Sequence, residues 1–220
     1  MIIVAIDETN FEDAKNILDK LDQKKCMVKI GSVAFNSLGK EIINYSSTKG
    51  LDVFLDLKLH DIPNTVKKTV KQLSNLPIKM LTVHASGGKD MLVAAMKAVA
   101  GTGIKIIGVT ALTSLCDEDT NYIFQRTAIE HVNTMLDLAE LVGIHGVVCS
   151  PHESELVSKR ESLLCITPGI RLKDLDDDQK RFMTPKEAIR HGADFIVIGR
   201  PITKSRNIKK SLNDIYESIQ

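Results

Sequence analysis

The chain has no tryptophan, and aromatic residues are only 4% of its 220 residues. A platform for stacking single-stranded bases needs exposed aromatic faces, so that class of protein is not expected. Charge of one sign is also lacking: 29 Lys and Arg stand against 28 Asp and Glu, a formal net charge of +1, and the two signs are interspersed. Neither a nucleic-acid surface nor an anionic-membrane patch follows from that balance. No apolar run approaches the ~18 residues that a membrane-spanning helix needs. The four cysteines, Cys26, Cys116, Cys149 and Cys165, include no Cys-x-x-Cys pair. A disulfide framework or zinc ribbon is therefore not expected, and free thiols buried beside apolar runs are. The histidines show no metal-ligand spacing, and no Gly-x-Gly-x-x-Gly follows an apolar run, so the dinucleotide fingerprint is missing. The first residues, Met1-Ile-Ile-Val-Ala-Ile-Asp7, lack a basic segment and read as a strand rather than a signal peptide. A cytoplasmic protein is expected.

What is present is a repeat of short apolar runs. They begin near Ile2, Met27, Val53, Met80, Lys105, Gly146, Leu163 and Asp194. Amphipathic stretches separate them, at Asn10–Lys24, Phe35–Tyr45, Pro63–Leu73 and Lys89–Ala100, then Glu130–Val142 and a short one near Glu153–Lys159. Strands alternating with helices imply a parallel sheet with crossover helices. Eight units in this length predict a closed (β/α)8 barrel, a single domain over residues 1–220. An open doubly wound sheet is the alternative, with fewer units than are counted here. The longest gap, before Gly146, has room for an extra short helix, while the polarity of residues 116–126 fits a solvated loop. The polar stretch 171–183 follows the seventh strand and is expected to be a lid.

In such a barrel, chemistry sits at the C-terminal ends of the strands. There the sequence places Asp7, Lys29, Asp56, Lys58, His84, Thr113, Arg171, Gly199 and Arg200. By alternation Asp56 and Lys58 share one face of strand 3, and His60 points away. Lys29 lies one strand earlier. A buried lysine without a partner would lose its proton. Alternation of Lys29, Asp56 and Lys58, with Asp61 just beyond, would keep every charge. An ion-pair network serving only the fold is the bland alternative, but unpaired ions at a core cost several kcal/mol each, an expensive way to hold a barrel. His84 fits a satisfied core histidine equally well. The loops after strands 7 and 8 carry Pro168-Gly-Ile-Arg171 and Gly199-Arg200-Pro201. Barrels commonly bind phosphate there, with backbone N–H groups and an arginine fork. A helix starting near Thr203 would add the positive end of its dipole.

These motifs resemble the bacterial orotidine 5′-phosphate decarboxylase family over essentially the whole chain. The resemblance is carried by Val-Ala-Ile-Asp7, Val-Lys29-Ile-Gly, Asp56-Leu-Lys58-Leu-His-Asp61-Ile62-Pro-Asn-Thr65, Val-Thr-Ala-Leu-Thr113-Ser, Thr-Pro-Gly-Ile-Arg171, Asp178-Gln179-Lys-Arg and Val-Ile-Gly199-Arg200-Pro-Ile-Thr. It implies decarboxylation of orotidine 5′-phosphate without metal or organic cofactor. Lys58 would be the proton donor to C6 of the pyrimidine, and Asp56 would face the substrate carboxylate. Lys29 and Asp61 would complete the charge array, with Asp7 and Lys29 at the ribose hydroxyls. Thr113 would read the pyrimidine edge. Gln179, Arg200 and the Gly199 backbone would hold the phosphate, with Arg171 at the same site. Asp61, Ile62 and Thr65 would reach the site of a second subunit, so the resemblance implies a homodimer. Two other readings remain: a Mg²⁺-dependent barrel acting on keto-sugar phosphates, which typically has an acidic residue in place of Lys29, and a non-catalytic nucleotide binder.

Overall fold

The computed structural model describes residues 1–170 and 183–220. Eight parallel strands close into a barrel in sequence order. They are β1 (Ile2–Ile6), β2 (Cys26–Gly31), β3 (Val53–Leu59), β4 (Met80–His84), β5 (Lys105–Val109), β6 (Gly146–Val148), β7 (Leu164–Thr167) and β8 (Phe195–Ile198). β1 pairs with β8, which shuts the ring. The strands start where the apolar runs start because a strand buried on both faces has no polar alternation to blur its edge.

The helices among the described residues are α1 (Phe11–Leu18), α2 (Ser32–Leu38), α3 (Glu41–Thr48), α4 (Pro63–Leu73), α5 (Lys89–Val99), α6 (Asp117–Phe124), α7 (Ala128–Val142), α8 (Ser154–Ser158), α9 (Pro185–Arg190), α10 (Arg200–Thr203) and α11 (Ile208–Ser218). α4 matches its expected span. Pro63 opens it, where a missing N–H costs nothing, and Val66, Val70 and Leu73 face the barrel. α7 begins ahead of Glu130 because Thr127 caps it, with the Glu130 carboxylate accepting from the Thr127 N–H at 2.9 Å.

Four expectations need correction. The stretch Asn10–Lys24 is helical only to Leu18, since the Asp22 carboxylate accepts from the Lys24 N–H at 2.9 Å and turns the chain into β2. Phe35–Tyr45 is not one helix: Gly39, at φ +64°, divides α2 from α3. Residues 116–126 are not simply a loop, because they contain α6, and the Asp119 carboxylate accepts from the Cys116 N–H at 3.1 Å at its start. The helix expected near Thr203 starts at Arg200, runs only four residues to Thr203, and is followed by α11. So short a helix has little dipole to offer an anion, so that part of the phosphate argument falls away. The thiols of Cys26, Cys149 and Cys165 are buried and free, and that of Cys116 is exposed and free. Burial pushes the Cys26 thiol up to about 12. No helix among the described residues is long and apolar enough to cross a membrane.

Candidate active site

The barrel interior has two levels. At the first, Ile3, Ala5, Met27, Phe54, Met80 and Ile107 pack against one another, with Ile166 and Val197 closing the ring. Side chains alternate along a strand, so two positions further on they point inward again. On β1 to β4 that step leads from Ala5 to Asp7, Met27 to Lys29, Phe54 to Asp56 and Met80 to Thr82. The charged residues thus stand directly on a dry apolar floor.

They form a row of alternating sign. Lys29 Nζ lies 3.5 Å from Asp7 Oδ1 and 3.7 Å from Asp56 Oδ2. Lys58 Nζ donates to the same Asp56 oxygen at 2.8 Å. Lys29 and Asp56 are nearly enclosed, with side chains 15% and 10% exposed, while Lys58 is 35% exposed and Asp7 61%. The row therefore runs from the open rim at Asp7 inward, then out again at Lys58. Each lysine of the row has a carboxylate beside it. Gly31 leaves room for this: a Cβ there would stand 2.9 Å from Lys29 Nζ.

Asp56 and Lys58 meet as expected, but not through plain alternation. β3 pairs with β4 at Leu55↔Leu81 and resumes at Leu59↔Val83, so extra residues bulge out between. Within the bulge Lys58 takes φ +50°, a left-handed backbone that non-glycine residues seldom adopt. His60, just past the bulge, is exposed. Its ring lies 5.3 Å from that of His84 at the end of β4. Burial, then the neighbouring charges of His60 and Lys58, lower the His84 pKa from its ordinary 6.5, against a smaller opposing pull from Asp56.

A cavity of about 1030 Å³ opens beside the row, walled by Asp7, Lys29, Pro168, Gly169, Gly199 and Arg200 among others. The loops after β7 and β8 thus share one space with the Asp7 and Lys29 end of the row. Arg200 is exposed, and its guanidinium has no ion-pair or hydrogen-bond partner among the described residues. Gly199 caps α10, and among the described residues a Cβ there would meet only Ala5 Cβ, at 3.6 Å, an ordinary contact. Other expected residues stand apart. Asp61 is exposed, and among the described residues its carboxylate accepts only from the adjacent Ile62 N–H, at 2.6 Å, so there it does not join the row. Ile62 is 66% exposed, and Thr65 is exposed in the first turn of α4. Thr113 is exposed between β5 and α6. Arg171, Gln179 and the expected lid to residue 182 lie outside the described residues.

One residue escaped the sequence reading. Thr82 is fully buried, and its hydroxyl donates to Asp56 Oδ1 at 3.0 Å. The signal was parity: Thr82 lies between Met80 and His84 on the inward face, beside Asp56, but threonine is also an ordinary strand former.

A parallel (β/α)8 barrel with a paired-charge cluster at its strand ends and an adjoining cavity is the frame of an enzyme acting on a small anionic molecule. The chain belongs to the family described as orotidine 5′-phosphate decarboxylase / HUMPS, which matches residues 1–215. It is 42% identical over 221 residues to the orotidine 5′-phosphate decarboxylase of Ehrlichia canis, covering 99% of this chain and 97% of that one. It is 44% identical to the enzyme of that name from Wolbachia pipientis subsp. Culex pipiens, covering 99% and 98%. The crystal structure of orotidine 5′-phosphate decarboxylase from Lactobacillus acidophilus superposes with a TM-score of 0.87 at 35% identity, over 100% of this chain and 98% of that one.

Proposed function

We propose that this protein decarboxylates orotidine 5′-phosphate to uridine 5′-phosphate and CO2, a step of pyrimidine nucleotide synthesis. The observation that carries the reading is the charge row, in which Lys58 Nζ stands 2.8 Å from Asp56 and whose Asp7 and Lys29 line the same cavity as Arg200. Family membership and the shared name of the curated relatives support it.

Breaking the bond from C6 to the carboxylate leaves an electron pair in the ring plane, where the π-system cannot absorb it. Fixed positive charge must do so. Lys58 is aimed at C6, stabilises the pair as CO2 departs, and then delivers its proton there, to be reprotonated from solvent. Asp56 faces the departing carboxylate and holds Lys58 in line. Lys29 balances Asp56 and, with Asp7, takes the ribose hydroxyls. Arg200 and the Gly199 backbone bind the phosphate, together with Arg171 and Gln179. Binding energy at that remote group favours the closed, water-poor site in which the electrostatics act. Thr113 reads the pyrimidine edge.

The working unit of this proposal is a cytoplasmic homodimer of single-domain barrels. Ile62, a large apolar side chain left 66% exposed, supports it, as does Asp61, which has no cation paired with it among the described residues. Asp61, Ile62 and Thr65 would complete the second subunit's site. Against the Mg²⁺-dependent reading stands Lys29, whose ammonium occupies the space between Asp7 and Asp56 that a divalent ion would need.

The test is the ultraviolet absorbance of orotidine 5′-phosphate with purified protein after metal chelation. Loss of the substrate chromophore with release of CO2 is expected. Folded protein that binds uridine 5′-phosphate but leaves the chromophore intact would move the assignment to a nucleotide binder. Neither binding nor turnover, with Mg²⁺-dependent activity on a keto-sugar phosphate, would move it to the other barrel chemistry.

A further inference from the structure

Lys58 has an unusual backbone for a residue whose side chain must be aimed. Its φ of +50° lies inside the bulge, where the β3–β4 ladder is interrupted. Its N–H is thereby deprived of a regular partner on β4. The Thr82 side chain replaces it, and Lys58 N donates to Thr82 Oγ1 at 2.8 Å. A hydroxyl has one proton and two lone pairs. Since an amide can only donate, Thr82 accepts from Lys58, and its own proton goes to Asp56 Oδ1 at 3.0 Å. The other Asp56 oxygen takes the Lys58 ammonium at 2.8 Å. The contacts close a ring from the Lys58 backbone through Thr82 and Asp56 to the Lys58 side chain. Both ends of the lysine are thus referred to one hydroxyl. That hydroxyl is fully buried on a regular strand, and its β-branched side chain has little rotational freedom.

We propose that Thr82 is a positioning residue for the reaction: it fixes the β3 bulge and the Asp56 carboxylate together, and so sets the direction of the Lys58 ammonium. Thr82 neither gives nor takes a proton in the cycle, and the one delivered to C6 comes from Lys58. The inference rests on the decarboxylase reading for its kinetic consequence, but not for its structural one.

Thr82→Val keeps the shape and removes the hydroxyl. The expected result is a fall in kcat of about 100-fold, the scale of a misplacement near 1 Å, with KM for orotidine 5′-phosphate and affinity for uridine 5′-phosphate within about threefold of the parent, the uniform-binding terms being untouched. Thr82→Ser, which restores the hydroxyl and lacks the methyl, should recover most of kcat. Should the valine variant not fold, Thr82→Ala against Thr82→Ser makes the same comparison. An unchanged kcat without the hydroxyl, a loss that Ser shares equally with Val or Ala, or an effect confined to KM overturns the inference. A crystal structure of a hydroxyl-free variant separates this from the parent reading. Lys58 should leave the left-handed region and its contact with Asp56 should lengthen. If both persist, Thr82 is not the positioning group, whatever the activity. Wild-type protein inert toward orotidine 5′-phosphate sinks the decarboxylase reading instead.

Discussion

The floor and the rim of this barrel are built from the same strands at the same parity, yet they obey opposite rules. On the floor Phe54, Met80, Met27 and Ala5 meet with no polar atom to satisfy. One inward step up, Asp56, Thr82, Lys29 and Asp7 meet with every charge answered by another at 2.8 to 3.7 Å. The floor holds the fold through burial, which is indifferent to direction. The rim contributes direction, and the dry floor beneath it keeps bulk water from screening it. Stability and chemistry are therefore separated by about 7 Å of strand, two residues at the usual rise.

Substitutions can divide the two levels. The largest effect is expected from Lys58→Ala. It should lower kcat by at least about 10⁴-fold, because the proposed proton donor and its charge are lost together. Unfolding should be little changed, since Lys29 still neutralises Asp56. Turnover near the parent value would remove Lys58 from the mechanism. The mirror experiment is Phe54→Ala on the floor, expected to cost about 3–5 kcal/mol in denaturant unfolding while the folded fraction keeps its KM. A parallel collapse of binding would mean the levels are not separable. Arg200→Ala should weaken uridine 5′-phosphate by roughly 10- to 100-fold, the scale of lost charge-assisted hydrogen bonds, and leave uridine unchanged. Equal weakening of both would misplace the phosphate site.

The smallest effect concerns protons. Burial is the leading cause holding His84 at the rim, and His131 and His145 elsewhere, below their ordinary 6.5. Below pH 6.5 the unfolded chain therefore takes up protons that the folded one refuses. Stability should fall as pH drops through that window, down to the folded-state values. His84→Gln should flatten this slope in pH-dependent melting. A slope that steepened would reverse the sign assigned to the rim histidine.

Much of the floor was legible in the sequence, because an inward apolar run has one meaning in a repeating α/β pattern. The rim was legible in part. Asp7, Lys29, Asp56 and Lys58 announced themselves by standing in or at the ends of such runs. The bulge did not: Lys58 is neither Gly nor Asn, and nothing in Asp56-Leu-Lys58 signals a left-handed turn. Thr82 was hidden by its suitability for a strand. Gly39 could have divided α2 from α3 had its place between two apolar stretches been weighed. Asp61, Ile62 and Thr65 were recognised as a group, but the role proposed for them needs a second chain, which no pattern within one chain can supply.

Gly31 joins these threads in a different way. A methyl group there would stand 2.9 Å from the Lys29 ammonium, the far end of a side chain that can swing aside. The barrel would survive the exchange while the charge row lost its register. In a deep mutational screen such a position would split the readouts, tolerant when scored by protein abundance and intolerant when scored by growth without added pyrimidine. A glycine with that profile behaves as a spacer for chemistry, and the neighbouring strand ends could be searched for others by the same divergence.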